Sequence, residues 1–226
     1  MKTGIILVEP LYSENIGLIA RIMKNFDVKP LYLVNPKAKH LNNASKSRSM
    51  YAQDILKKAV KVKSLKSLTK KFNLLVGTTA KLSKESKHFR KALSLKQFKD
   101  IYGKSDASVG FVFGREDIGL TNEELNKCDL TISINASSKY NTLNVSHAVV
   151  VVLHELFEFK DRNLFKVAET EDRKLAIKFA NDLIEKTEGL KNKEAIKHSF
   201  KQLLSKTLLT EKEMKTLVGF LSKLGR

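Results

Sequence analysis

The chain has a single cysteine, Cys128, among 226 residues, so no internal disulfide can form and no thiolate cluster can hold zinc or an iron-sulfur centre. Cys128 reads as a small buried hydrophobe on a helix. Apolar runs approaching the roughly 20 residues that span a bilayer are also missing. The opening MKTGIILVEP is too short in its apolar part for a signal peptide and meets Glu9 and Pro10 at once, so a cytoplasmic protein is expected. No Gly-Lys-Ser/Thr follows Gly77, and FGREDIG at 113–119 lacks the spacing of a dinucleotide fingerprint, which counts against ATP-driven and nicotinamide chemistry. No Cys-His or His-carboxylate set has ligand spacing, and no metal is expected. His147 and His154 share a predicted helix but lie about 10 Å apart along its axis, too far to hold one ion. A serine on a sharp Gly-flanked elbow is absent as well, which leaves a nucleophilic triad without its nucleophile.

Acidic residues are scarce in one stretch. Counting Lys and Arg against Asp and Glu gives +1 for residues 1–36, +16 for 37–104, −4 for 105–160 and +5 for 161–226, together the net +18. The segment 37–104 sets only Asp54, Glu85 and Asp100 against nineteen basic residues. Lysine-heavy surfaces that serve solvation alone usually balance Lys with Glu. An unbalanced block suits a polyanion, whose phosphates supply affinity and association rate. The basic residues are spread over several elements instead of along one amphipathic helix, so nucleic acid is the expected partner and a membrane surface is not.

What is present is a pattern of alternating elements. At 42% hydrophobic, the chain can bury a sizeable core, and its length suits one domain of about 150 residues plus an appendage. GIILVEP, PLYLVNP, NLLVGTT, SVGFVFG and LTISIN read as five buried strands. NIGLIARIMKNF carries Ile16, Ile19, Ala20, Met23 and Phe26 at helical spacing. Strands alternating with helices define an α/β fold with a mainly parallel sheet, in which ligands bind at the carboxyl ends of strands. Thr121 and Glu124 form a capping box, as do Thr210 and Glu213. Asn144 precedes VSHAVVVVLHELFEF, a run so apolar that it should bury against the sheet or a second subunit. The strand pattern stops near residues 160–170. Residues 161–226 then read as an all-α C-terminal extension of amphipathic helices beside a 1–160 domain.

Asn15, Gly17 and Arg21 fall on the first turns of a helix directly after the first strand. The helix start could offer free amides to a phosphate, although on spacing alone Arg21 reads as a surface residue. Taken together, LVEPLYSENIGLIARIMKNF, GTTAK, FVFGREDIGLTNEEL and ISINASSKYNTLNVSHAVVVVLHEL resemble the SPOUT superfamily of RNA methyltransferases. Within it, the resemblance is to the TrmJ-type branch of the TrmH-like 2′-O-methyltransferases and covers about residues 3–158.

That resemblance implies a trefoil knot at about residues 110–155 on the C-terminal side of the sheet. It also implies a homodimer whose active site draws on both subunits, with S-adenosyl-L-methionine bent inside the knot. By motif, the donor pocket would include Thr78, Thr79 and Ala80, then Gly114 and Glu116, then Ile134, Thr142, Leu143 and Asn144. Close-approaching main chain there suits adenine and ribose, and Ile134 and Leu143 would be apolar walls, their alternative being ordinary core residues. Arg21 would work at the reaction centre with Asn15, Glu116, Thr142 and Asn144. Two positions depart from the family pattern: Thr142 stands where many relatives carry serine, and Lys81 where TrmJ-type relatives often carry arginine. The implied activity is ribose 2′-O-methylation of tRNA, at cytidine or uridine in position 32 of the anticodon loop. Another tRNA or rRNA site is the near alternative, and a non-catalytic RNA-binding dimer is the alternative of another class.

Overall fold

The computed structural model describes residues 1–80, 92–103, 105–157 and 167–224. Among these residues, β1 (Lys2–Val8), β2 (Leu31–Val34), β3 (Val60–Val62), β4 (Leu74–Thr78), β5 (Leu93–Ser94), β6 (Ser108–Phe113) and β7 (Leu130–Ser133) form one sheet. Its order is β3-β2-β1-β6-β4-β7-β5, and every pairing is parallel. The five strands expected from apolar runs are the five inner ones. The two edge strands, β3 and β5, are three and two residues long, too short to leave a periodic signal.

The continuous apolar runs reflect burial on both faces of the sheet. Side chains alternate across the pleat, so Ile5, Leu7, Phe111 and Phe113 enter one cluster with α1 (Ser13–Asn25), α4 (Leu95–Tyr102) and α6 (Val145–Phe157). Ile6, Val8 and Val112 enter the other, with Leu65, Leu68, Phe72 and Cys128. α6 buries Ser146, Val149, Val152, Leu153 and Leu156 against α1 and α4, and leaves Val151 and Phe157 more than a third exposed. Ser94 and Gln97 form a capping box at the start of α4 that the sequence reading did not register. Cys128 is buried as expected but lies in the turn after the short α5 (Asn122–Asn126), not on a helix.

α1 and the short α2 (Asn43–Ser49), which α3 (Gln53–Lys57) follows, approach closely at Gly17. A Cβ added there would stand 2.3 Å from the Ser45 carbonyl oxygen and 2.9 Å from the Arg48 Cβ. Glycine is the residue that permits this contact.

Three helices follow: α7 (Thr170–Lys186), α8 (Lys193–Lys206) and α9 (Glu211–Leu224). They enclose a small core of Ala168, Ala176, Ala180, Leu204, Met214 and Leu221, and Thr210 and Glu213 cap α9 as expected. The unit is seated on the sheet domain. The Tyr102 hydroxyl donates to the Ser205 carbonyl, the Thr170 hydroxyl to the Phe72 carbonyl at 3.0 Å, and the Val167 amide to the Asp106 carboxylate at 2.8 Å. The segment 158–166, where the division between the two parts was expected, lies outside the described residues.

Gly17→Ala is expected to force α1 and α2 apart and to lower stability by about 1–3 kcal/mol, with the thermal midpoint as the measurement. An unchanged midpoint would show that α2 can shift without cost.

Candidate active site

Strands β6, β4 and β7 are neighbours and run parallel, so the loops that leave their carboxyl ends emerge together. These loops are residues 79–80, 114–119 and 134–144, and the start of α1 lies beside them.

The middle loop closes on itself. A Cβ at Gly114 would meet the Gly119 carbonyl carbon at 2.1 Å and the Leu120 nitrogen at 2.2 Å. The Arg115 amide donates to the Gly119 carbonyl at 3.2 Å, the Gly119 amide donates back at 3.0 Å, and Gly119 holds φ +70°. Only a residue without a side chain fits Gly114 into this turn, whose space is filled by backbone from its own loop.

Arg115 anchors the loop from below. Its Nη1 and Nη2 donate to Glu124 Oε2 and Oε1 at 3.0 and 2.9 Å, a bidentate fork. Its Nε donates to Glu9 Oε2 at 3.1 Å. Glu124 also closes the capping box, accepting the Thr121 amide at 2.8 Å, while Glu9 accepts from Asn35 Nδ2 at 2.6 Å. Burial alone would raise the Glu124 carboxyl. The Arg115 guanidinium and the Thr121 donors outweigh it and hold that group below its usual range. The Asn35 amide, aided by Arg115, lowers the Glu9 carboxyl, and the hydrogen bonds to Glu124 raise the Arg115 guanidinium further.

Glu116 reaches the opposite way. Its Oε2 accepts the Leu11 amide at 2.9 Å, and its Oε1 accepts the Tyr12 amide at 3.4 Å and Asn15 Nδ2 at 2.9 Å. Asn144 Nδ2 donates to Asn15 Oδ1 at 3.4 Å, and Asn144 Oδ1 accepts from the Ser146 amide and hydroxyl at 2.8 and 2.7 Å. One polar run therefore joins the middle loop, the start of α1 and the start of α6. It also takes up the Leu11 and Tyr12 amides just ahead of α1.

The first and third loops are joined too. The Thr78 hydroxyl donates to the Val112 carbonyl at 2.9 Å, the Thr79 amide to the Ile132 carbonyl at 3.0 Å, and Asn141 Nδ2 to the Ala80 carbonyl at 2.6 Å. Ile134 packs partly against the main core. Thr142, Leu143 and Asn144 are exposed. Lys81 lies outside the described residues.

Arg21 stands apart from this cluster. It is exposed on α1, six residues beyond Asn15, which places it about 9 Å further along the axis and on a different side of the helix. Among the described residues it has no hydrogen-bond or ion-pair partner. Arg115, Glu9 and Asn141 were not singled out from sequence. The only local signal for the first was an arginine between Gly114 and Glu116, and nothing in the sequence announces that Glu9 and Glu124 converge on it.

The Cys128 thiol is pushed up to about 12 by burial, which favours the neutral thiol over the thiolate. Among the described residues no group of three or more His, Cys, Asp or Glu could hold a metal ion, and no helix is long and apolar enough to cross a membrane. An open hollow of about 700 Å³ along α9, lined by Thr210, Glu211, Lys212, Lys215 and Thr216, includes none of these loops.

A parallel sheet whose carboxyl edge gathers three neighbouring loops accords with the SPOUT methyltransferases, and the chain belongs to the SpoU rRNA Methylase family, which matches residues 2–154. Within it the likeness is to the TrmJ type. The chain is 36% identical over 223 residues, 96% of each chain, to the tRNA (cytidine-2′-O-)-methyltransferase TrmJ of Methanocaldococcus jannaschii. Its fold matches the crystal structure of TrmJ from Z. mobilis ZM4 with a TM-score of 0.72 at 25% identity, covering 99% of both chains. It also matches the SpoU methyltransferase AviRb from Streptomyces viridochromogenes, crystallised with the cofactor AdoMet, with a TM-score of 0.54 at 21% identity, over 69% of this chain and 59% of that one.

Glu124→Gln is expected to cost about 1.5–3 kcal/mol at pH 7, the range for hydrogen bonds to a charged partner. The folded carboxyl titrates below its ordinary value of 4.5. Its contribution is therefore complete above that value and lost as the pH falls through the folded one. The gap in thermal midpoint between wild type and Glu124→Gln should narrow below about pH 4.5; a constant gap would show that Arg115 draws nothing from this charge.

Proposed function

We infer that the chain is an S-adenosylmethionine-dependent tRNA ribose 2′-O-methyltransferase, acting on cytidine or uridine at position 32 of the anticodon loop. The observation that carries the reading is the polar run Glu116–Asn15–Asn144, built at the loop edge of a chain that follows a tRNA 2′-O-methyltransferase along nearly its whole length. A cytoplasmic location accords with a tRNA substrate.

The cofactor supplies, when bound, a methyl group on a positively charged sulfur. Thr78, Thr79 and Ala80, the Gly114–Glu116 turn, and Ile134, Thr142, Leu143 and Asn144 would hold it. The fit rests on the convergence of these loops at the carboxyl ends of the adjacent strands β4, β6 and β7, with the exposed Leu143 side chain as an apolar face for a base. Glu116 keeps the segment leading into α1 in place, and Asn15 and Asn144 couple that segment to the third loop.

Arg21 carries the acceptor side. A guanidinium holds its proton and is a poor proton acceptor in water, so its role is to position the phosphate and ribose hydroxyl and to stabilise negative charge growing on that oxygen. In a single chain it lies off the polar run. A homodimer in which Arg21 of one protomer serves the pocket of its partner accounts for this. A trefoil knot accords with the third loop touching the first through Asn141 and Ala80 while α6 returns beside α1 through Asn144 and Asn15. The sheet-domain boundary near residue 160 and an all-α C-terminal domain complete the reading.

Calorimetry with S-adenosylmethionine and tritium transfer into total tRNA test it together. Arg21→Ala is expected to lower transfer about 100- to 1,000-fold with donor affinity within about twofold of wild type. Equal loss of both would make the role of Arg21 structural. Donor binding without transfer by the wild type would favour an RNA-binding dimer without catalysis.

A further inference from the structure

Tyr51 is the most exposed large hydrophobic residue described, at 89%, and Met50 beside it is 51% exposed. A tyrosine stabilises a fold by covering area or by bonding its hydroxyl; this ring covers almost nothing. Its presentation is nonetheless built. Met50 holds φ +48° and ψ −119°, a conformation that is costly for a bulky residue, and it turns the chain sharply from α2 into the 3-10 turn Met50–Ala52. Lys24 of α1 pins that turn, its Nζ donating to the Tyr51 carbonyl at 2.7 Å and to Asp54 Oδ1 at 2.9 Å.

The surroundings are cationic and continuous with the reaction side of α1. Lys46, Arg48, Lys57 and Lys58 are exposed, and Asp54, the only acidic residue between positions 37 and 84, is paired with Lys24. Lys24 follows Arg21 by three residues, so the two flank each other on the helix surface. Arg48 sits against Gly17, one turn before Arg21.

We propose that Tyr51 is a stacking platform for an unpaired base of the RNA substrate, with Met50 extending the platform and Arg48 and the neighbouring lysines holding the flanking phosphates. The proposal rests on the reading of the chain as an RNA methyltransferase and adds where a loop nucleotide outside the reaction centre is held. An aromatic face takes only a base that has left its own stack, so this surface selects a single-stranded loop over a duplex. Basic residues around an exposed ring, drawn from α1, α2 and the segment after it, suit a phosphate chain better than a lipid surface or an uncharged protein face.

The test is fluorescence anisotropy with labelled tRNA at fixed salt, comparing wild type, Tyr51→Ala and Tyr51→Phe, with S-adenosylmethionine affinity and solution mass measured in parallel. Tyr51→Ala is expected to weaken RNA binding about 5- to 150-fold without changing the salt dependence, donor affinity or mass. Tyr51→Phe should stay within about twofold of wild type. Unchanged binding by Tyr51→Ala overturns the proposal, as does equal loss in Tyr51→Phe, which would assign the effect to the hydroxyl. A change in solution mass overturns it in favour of a subunit contact. Wild-type transfer into tRNA combined with an inert Tyr51 sinks this proposal alone. Absence of transfer, with Tyr51 still governing RNA affinity, sinks the enzymatic reading and leaves the stacking site.

Discussion

The guanidinium of Arg115 joins three parts of the chain that sequence keeps more than a hundred residues apart at the extremes. Glu9 directly follows β1, Glu124 lies on α5, and Arg115 sits between them at the mouth of β6, its side chain 14% exposed. Removing charges from water is expensive, and a partly buried ion pair is worthwhile only when its hydrogen bonds are nearly complete. Here the fork to Glu124, the bond to Glu9 and the contact with the Gly119 carbonyl use nearly all of the guanidinium. A lysine would retain the charge and lose the fork.

The consequence for the loop edge lies in the next residue. With Arg115 turned into the scaffold and Gly114 pressed against Gly119, Glu116 is delivered toward α1, where its two oxygens meet Leu11, Tyr12 and Asn15. Asn15 and Asn144 then carry the same constraint to the start of α6. The polar run thus inherits its position from an ion cluster that need not touch any ligand. On the far side of the sheet domain, Tyr102, Thr170 and Val167 seat the C-terminal helices, so that unit rests against the fold whose loops form the candidate site.

The inner strands were legible because burial on both faces leaves unbroken apolar runs, and α1 because Ile16, Ile19, Ala20 and Met23 repeat at the helical period. The capping boxes at Thr121 and Thr210 were legible because their partners lie three residues away. The edge strands β3 and β5 were not, since so few residues carry no periodicity. The candidate loops were found through resemblance to a family. Composition and spacing alone would have left Arg21 on the surface and Gly77-Thr78-Thr79 as weak evidence.

Local order and net charge were determined by sequence alone: which segments are apolar, where helices start, and that residues 37–104 carry an unbalanced positive block. Only the tertiary structure decided which polar groups meet. It gave Arg115 to Glu9 and Glu124, turned Glu116 toward the amides before α1, joined Asn141 to Ala80, and left Tyr51 uncovered. The physical reason is that side-chain hydrogen bonds and ion pairs act over about 3 Å, whereas these partners are brought within range by a sheet whose strand order differs from their order along the chain.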